Sequence, residues 1–300
     1  MRVVALLPAA TDIVCALGAA ETLVGVTHEC DSRGLAPTVP RVTASTVASH
    51  ASAAAIDERV RELHASGTPL FELNEERIRE ARPDLILTQS LCEVCAVHEN
   101  DVRALAQRLS PSPRILTLGA GTLDAVLEDV QLVAAAIGRS DEGAELGLGL
   151  RARMRAVHST LKAAHAPRPR VAVIEWTEPL YAAGHWVPDL IRRAGGTDVL
   201  AAAGAHSATC TIEAVRDARP DVLILAPCGY ALDRAADEGR EFLGRAEMAW
   251  ALECSVWAVD ANTLISRPGP GLVDAIEVMA RIFNAPLFSP LGEGRAVRLV

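Results

Sequence analysis

Asn74-Glu-Glu-Arg-Ile-Arg-Glu-Ala-Arg-Pro-Asp-Leu-Ile-Leu87 returns later in the chain as Thr211-Ile-Glu-Ala-Val-Arg-Asp-Ala-Arg-Pro-Asp-Val-Leu-Ile-Leu225. In each copy an amphipathic helix stops before a proline and an apolar, β-branched run follows, which is one helix-to-strand step of a parallel sheet. Glu76 and Glu213 hold matching places in the two copies. The openings agree as well: Arg2-Val-Val-Ala-Leu-Leu-Pro8 is similar to Arg170-Val-Ala-Val-Ile-Glu-Trp176, and each enters a helix after a short polar turn. Two similar α/β lobes are therefore expected, and a duplicated unit of this kind commonly binds something between its halves.

Outward from the repeat, the first lobe reads as strand 3–7, helix 11–19, strand 23–27, a long loop, helix 56–65, helix 75–81, strand 85–88, helix 98–109 and strand 115–118. Residues 122–166 turn helical with one break at Gly138-Arg-Ser-Asp-Glu-Gly143, where Ser140 is placed to cap a second helix. Such a connector makes a stiff spine and keeps any closure small. The second lobe carries strands near 171–175, 222–225 and 256–259 and a helix over 272–283. The fold class is α/β: two Rossmann-like lobes with parallel sheets, joined by a long helical spine. The expected organisation is a lobe over 1–120, a spine over 121–167, a lobe over 168–286 and an irregular tail over 287–300.

The chain has 300 residues, half of them apolar, enough for two cores. A formal charge of −9 and only 3% aromatic residues argue against nucleic acid, whose phosphates need clustered positive charge, and against anionic membranes. The apolar opening from Val3 to Ala10 is too short for a membrane span and lacks a cleavage site, so it reads as the first core strand. Seven cysteines, an odd number, fit a reducing compartment. A cytoplasmic location is expected, or a periplasmic or extracellular one if a signal has been removed.

Ligands collect at the carboxyl ends of parallel strands, so the loops that follow each strand carry the candidates. Thr11 and Asp12 follow the first strand, where capping is the plainer role. His28-Glu29-Cys30 follows the second, and Gln89-Ser-Leu-Cys92-Glu-Val-Cys95 follows the strand ending at Thr88. His28, Cys30, Cys92 and Cys95 offer three thiols and an imidazole, with one Cys-x-x-Cys pair, a ligand set suited to zinc or iron. A reactive thiol pair and ordinary part-buried cysteines are the competing readings. Trp176, Tyr181 and Trp186 concentrate the rings of the second lobe near one loop, where they either stack on a flat ligand or pack internally. Cys228 and Tyr230 follow another strand. Asn262 and Arg267 lie after the last one and offer hydrogen bonds to a ligand rim, with Arg267 equally a surface charge. No Gly-x-Gly-x-x-Gly, Walker, Gly-x-Ser-x-Gly or His-Glu-x-x-His pattern is present, so nucleotide binding, serine hydrolysis and zincin proteolysis lose support.

The stretches Arg2 to Asp12, Leu23 to Asp31, Ala81 to Leu87, Ala183-Gly-His-Trp-Val-Pro-Asp-Leu-Ile-Arg-Arg-Ala-Gly-Gly196 and Asp260 to Pro270 resemble the cobalamin-binding substrate-binding proteins of ABC transporters. These belong to the helical-backbone metal-receptor group of class III periplasmic-binding-protein-like folds. The resemblance covers about residues 1 to 285, and the cysteine loops resemble a signal-less branch of the group. It implies a corrinoid, cobalamin or a relative, held between the lobes by a carrier without turnover. It also implies docking of Glu76 and Glu213 onto a transporter or another corrinoid-accepting protein. Where relatives stack rings on the corrin, Glu29, Leu70 and Ser207 align, and Tyr181 is retained. A variant has His28, Cys92 or Cys95 ligating the cobalt. The alternatives are a cytosolic enzyme or metallochaperone built on His28, Cys30, Cys92 and Cys95, and a siderophore or heme carrier.

Overall fold

The computed structural model describes residues 1–48, 50–91 and 97–300. They form two units, one of residues 1–120 with 124–148 and one of residues 121–123 with 149–300.

The first unit is built on β1 (Val3–Ala5), α1 (Pro8–Ala16), β2 (Leu23–Val26), β3 (Thr43–Ser45), α2 (Ala53–Ser66), β4 (Phe71–Leu73), α3 (Glu75–Ala81), β5 (Leu85–Gln89), α4 (Glu99–Arg108), β6 (Arg114–Leu118) and α5 (Leu123–Ala136). Its main sheet has the order β2-β1-β5-β6 with every pair parallel. All of β1 and β5 is buried, as a strand covered on both faces requires. Alternate residues serve opposite layers. Val3, Ala5, Leu85 and Leu87 pack with Ile13, Val14, Val130 and Val133 on one face. Val4, Leu6 and Ile86 pack with Ile78, Val102 and Leu105 on the other. Within the segment expected to be a long loop, β3 pairs antiparallel with β4 as a separate two-stranded ribbon.

α6 (Ser140–Ala163) follows, and the division between units falls within it, at Leu148 and Gly149. Ser140 is its first residue rather than a flanking cap, and the Arg139 carbonyl accepts from Gly143 N at 2.9 Å.

The second unit continues with β7 (Arg170–Thr177), β8 (Leu180–Ala182), α7 (Val187–Arg193), β9 (Thr197–Asp198), β10 (Ala208–Thr209), α8 (Ile212–Asp217), β11 (Val222–Leu225), α9 (Leu232–Leu243), β12 (Ser255–Val259), α10 (Ala261–Leu264), α11 (Gly271–Phe283) and β13 (Ala296–Arg298). Its sheet is mixed, not purely parallel. β7, β11 and β12 run parallel, whereas β8, β10 and β13 are antiparallel additions at the two edges. β8 doubles back on β7 because only Glu178 and Pro179 separate the paired residues Thr177 and Leu180. β13 arises in the tail expected to be irregular. Arg153 of α6 is held to α11 by Glu277 at 2.8 Å and Asp274 at 2.5 Å.

The repeated sequence becomes a repeated structure. Asn74 caps α3 by accepting from Arg77 N at 2.9 Å, and Thr211 caps α8 by accepting from Ala214 N at 3.1 Å. Arg82 and Arg219 then take positive φ values of 43° and 45°, turning the chain into the proline. Asp84 and Asp221 each accept, at 2.7 Å, the backbone N–H that opens the neighbouring first strand, from Arg2 and Arg170. The Arg-Pro-Asp signature is thus a latch that sets the helix exit against the sheet.

Candidate functional site

At the carboxyl end of β2 the chain passes through Thr27 to His28, which the β3–β4 ribbon holds. Thr43 Oγ1 lies 2.8 Å from His28 Nδ1 and accepts from the His28 backbone N–H at 3.1 Å, while the ring sits 5.9 Å from Phe71. With Leu6 and Val97 they line a small hollow enclosing about 10 Å³, on the order of one water molecule.

Cys30 goes the other way. It is 2% exposed, in the layer of Ile13 and Val133, with Sγ 3.0 Å from Thr11 Oγ1 and 3.6 Å from Thr27 Oγ1. His28 lies against Leu6 and Val97, residues of the opposite layer. Thr11 is not a cap either: α1 begins at Pro8, three residues earlier than expected, and Thr11 is fully buried in its interior. Glu29 is exposed. Gln89 is buried, its Oε1 accepting from Leu91 N at 2.5 Å. Cys92 and Cys95 fall outside the described residues. Among the described residues, no group of three or more His, Cys, Asp or Glu is arranged to hold a zinc or iron ion. Cys15, near Cys30, has its pKa pushed up to about 11, first by burial and then by Asp12 and Cys30.

In the second unit the loops after β7, β11 and β12 interlock. Trp176 of β7 pairs across to Tyr181 of β8 and meets Tyr230 edge-on, with centroids 5.6 Å apart at 69°. Tyr230 is buried under Arg234, whose guanidinium carbon lies 3.6 Å from the ring centroid and whose Nη2 donates to the phenol oxygen at 2.7 Å. Burial raises the Tyr230 pKa. The Tyr230 carbonyl accepts from Asn262 N at 3.0 Å, and Asn262 Oδ1 accepts from Arg267 at 2.8 Å. Arg267 is only 6% exposed, which rules out the surface-charge reading. Gly229 N donates to Ser266 Oγ at 2.9 Å, and the adjacent Cys228 is exposed. Trp176, Tyr181, Tyr230, Asn262, Arg267 and Cys228 thus share one loop cluster.

Trp186 does not join them as a free ring. It is buried at the start of α7 and donates Nε1–H to the Ile265 carbonyl at 2.9 Å. Ser207 accepts from Gly184 N at 3.0 Å and also bonds the Glu175 carboxylate. Gly184 is required here, since a Cβ would lie 2.5 Å from the Ala205 carbonyl oxygen and from Ser207 N. His185 follows at φ 52°, 5.1 Å from the His206 ring, and burial lowers its pKa.

The model for the periplasmic binding protein family matches residues 3–252. The chain belongs to that family. No curated protein matches it. Among solved structures, it is similar to a periplasmic heme-binding protein from Pseudomonas aeruginosa, with a TM-score of 0.70 at 18% identity, covering 99% of this chain and 97% of that one. The periplasmic vitamin B12-binding protein of Vibrio cholerae follows it at 0.65 and 21%, covering 95% and 96%. An Fe3+-hydroxamate transport-system protein from Saccharomonospora viridis does so at 0.62 and 23%, covering 94% and 93%. The fold is the α/β two-lobe class III form of the periplasmic binding proteins. Three ligand classes on one scaffold mean that the scaffold does not choose the ligand.

In this binding protein Glu76 and Glu213 are both exposed second residues of their helices. Glu213 is held below the usual carboxylate range by its own backbone N–H and by the Thr211 hydroxyl. Sequence reasoning missed Thr43 and Phe71, which sit in three-residue strands, and Glu175, His185 and His206. Glu175 had a signal: it is the one charged residue in the apolar run Val171 to Trp176, and β7 breaks register between Ile174 and Trp176 to accommodate it.

Proposed function

We propose that this member of the periplasmic binding protein family carries a corrinoid, cobalamin or a close relative, without chemical turnover. The observation that carries the reading is the aromatic group Trp176, Tyr181 and Tyr230 at the ends of β7 and β11. Trp176 and Tyr181 are only half-buried, so part of each ring is available to a flat macrocycle, while Tyr230 braces Trp176 from behind. Neutral hydrogen-bonding groups beside them, Asn262, Ser266 and Ser207, suit a ligand edged with amides. His28, in the first unit, is the candidate axial base: in the tautomer whose Nδ1–H donates to Thr43, Nε2 carries the lone pair that a metal centre takes. The cysteine content supports a reducing, cytoplasmic setting.

Tryptophan fluorescence tests the reading. Cyanocobalamin quenches the wild-type emission saturably, and Trp176→Ala or Tyr181→Ala weakens binding about tenfold, the loss of one stacking surface. Saturable quenching by hemin alone would replace the corrinoid with a porphyrin. The delivery partner is an ABC transporter or other corrinoid acceptor, met by Glu76 and Glu213. Reversing both charges, as Glu76→Lys with Glu213→Lys, leaves corrinoid affinity unchanged and abolishes stimulation of the transporter's ATPase. Full stimulation by the double variant would remove the glutamates from docking.

A further inference from the structure

The repeated Arg-x-x-Arg-Pro-Asp stretch has a second consequence, visible where its two copies differ. In the first unit, at the amino ends of the strands and therefore away from the His28 turn of the same unit, Arg2, Arg79, Glu80, Arg82 and Ser110 line an open hollow of about 740 Å³. Three guanidinium groups share this place with two carboxylates, Glu80 and Asp84. Arg2 spends only Nε, on the Ala81 carbonyl at 2.7 Å. Arg79 has Glu75 at 3.9 Å, and that carboxylate is already taken by Arg108. The Arg82 side chain makes no hydrogen bond or ion pair among the described residues, and Asp84 is occupied with the Arg2 N–H. In the second copy the equivalent arginines are exposed too, but Arg170 and Arg216 have more of their donors engaged. Arg170 places Nε and Nη2 on the carbonyls of Arg219 and Ala218 at 3.0 and 2.6 Å, and Arg216 pairs with Asp217 at 3.1 Å.

We propose that the Arg2–Arg79–Arg82 hollow is a binding site for a small polyvalent oxyanion of the di- or triphosphate class. Planar guanidinium forks match phosphate oxygens two at a time, and a chain of phosphates can engage all three arginines. A small ligand answers to the charges inside a Debye length of about 8 Å, here three guanidinium groups against Glu80 and Asp84. An extended anionic surface would also meet the rest of a chain whose formal charge is −9. The site is independent of the corrinoid reading.

Isothermal titration of the full chain with inorganic triphosphate, at low and at physiological salt, is the test. One equivalent binds, more weakly as salt rises, and Arg79→Gln and Arg82→Gln each reduce affinity at least about tenfold. Arg219→Gln, in the second copy, changes nothing. Gln at position 82 faces the same positive φ as Arg, and thermal melting checks that each variant is folded. ATP displacing triphosphate assigns the phosphate chain of a nucleotide to the site; failure of ATP to displace it assigns the inorganic form. Absence of binding at millimolar triphosphate, or equal loss in the Arg219→Gln variant, overturns the proposal.

Discussion

Glu175 shows what a single residue can reveal. It lies where β7 breaks register, largely out of water, with the Ser207 hydroxyl as its hydrogen-bond donor. Burial raises its pKa above the usual 4.5, against the opposing pull of Ser207. The folded chain therefore holds this proton to higher pH than the unfolded chain, and stability falls as pH rises from about the unfolded value through the folded one. Above that window the cost of a buried carboxylate is present in full. Glu175→Gln keeps the shape and removes the charge, so the urea midpoint should rise at pH 7 and stay near wild type at pH 4. A variant less stable than wild type at pH 7 would mean that the ionised carboxylate has a favourable partner.

At the scale of elements, the two Arg-Pro-Asp latches make paired predictions. Asp84→Ala and Asp221→Ala each remove an acceptor 2.7 Å from the first N–H of a central strand. Both aspartates are exposed, so each loss should be modest and similar, about 1 kcal/mol in urea unfolding. A large effect in one copy and none in the other would contradict a duplicated role. This level was the most legible in the sequence. α3 spans Glu75 to Ala81 as its cap, period and following proline indicate, and β11 spans Val222 to Leu225. The ribbon β3–β4 and the edge strands β8 and β10 were not legible, because two or three residues carry no period to read. α1 began early because Pro8 fits the first turn of a helix, so Thr11, read as a cap, became core. The site was legible only as a set of loops. Which side chains meet depends on the turn after β2, where Cys30 enters the core layer of Ile13 and Val133 while His28 is held by Thr43, and on burial, which takes Trp186 and Arg267 out of solvent.

For the whole molecule, family membership establishes a ligand-binding scaffold, and the scaffold is shared by proteins named for heme, vitamin B12 and ferric hydroxamate. In the proposed corrinoid reading, choice among such ligands rests in the second unit on the rings of Trp176 and Tyr181 and the neutral donors and acceptors beside them, and in the first unit on the imidazole held by Thr43. The most direct measurement is an absorbance titration of the purified chain with aquocobalamin, with bound ligand counted separately by ultrafiltration. Saturation is expected at one equivalent with a shift of the corrin bands as His28 replaces the axial water, and binding without that shift in His28→Ala. Retention of the band shift in His28→Ala would assign the axial ligand elsewhere. No retained corrinoid at any concentration would contradict corrinoid binding by this chain.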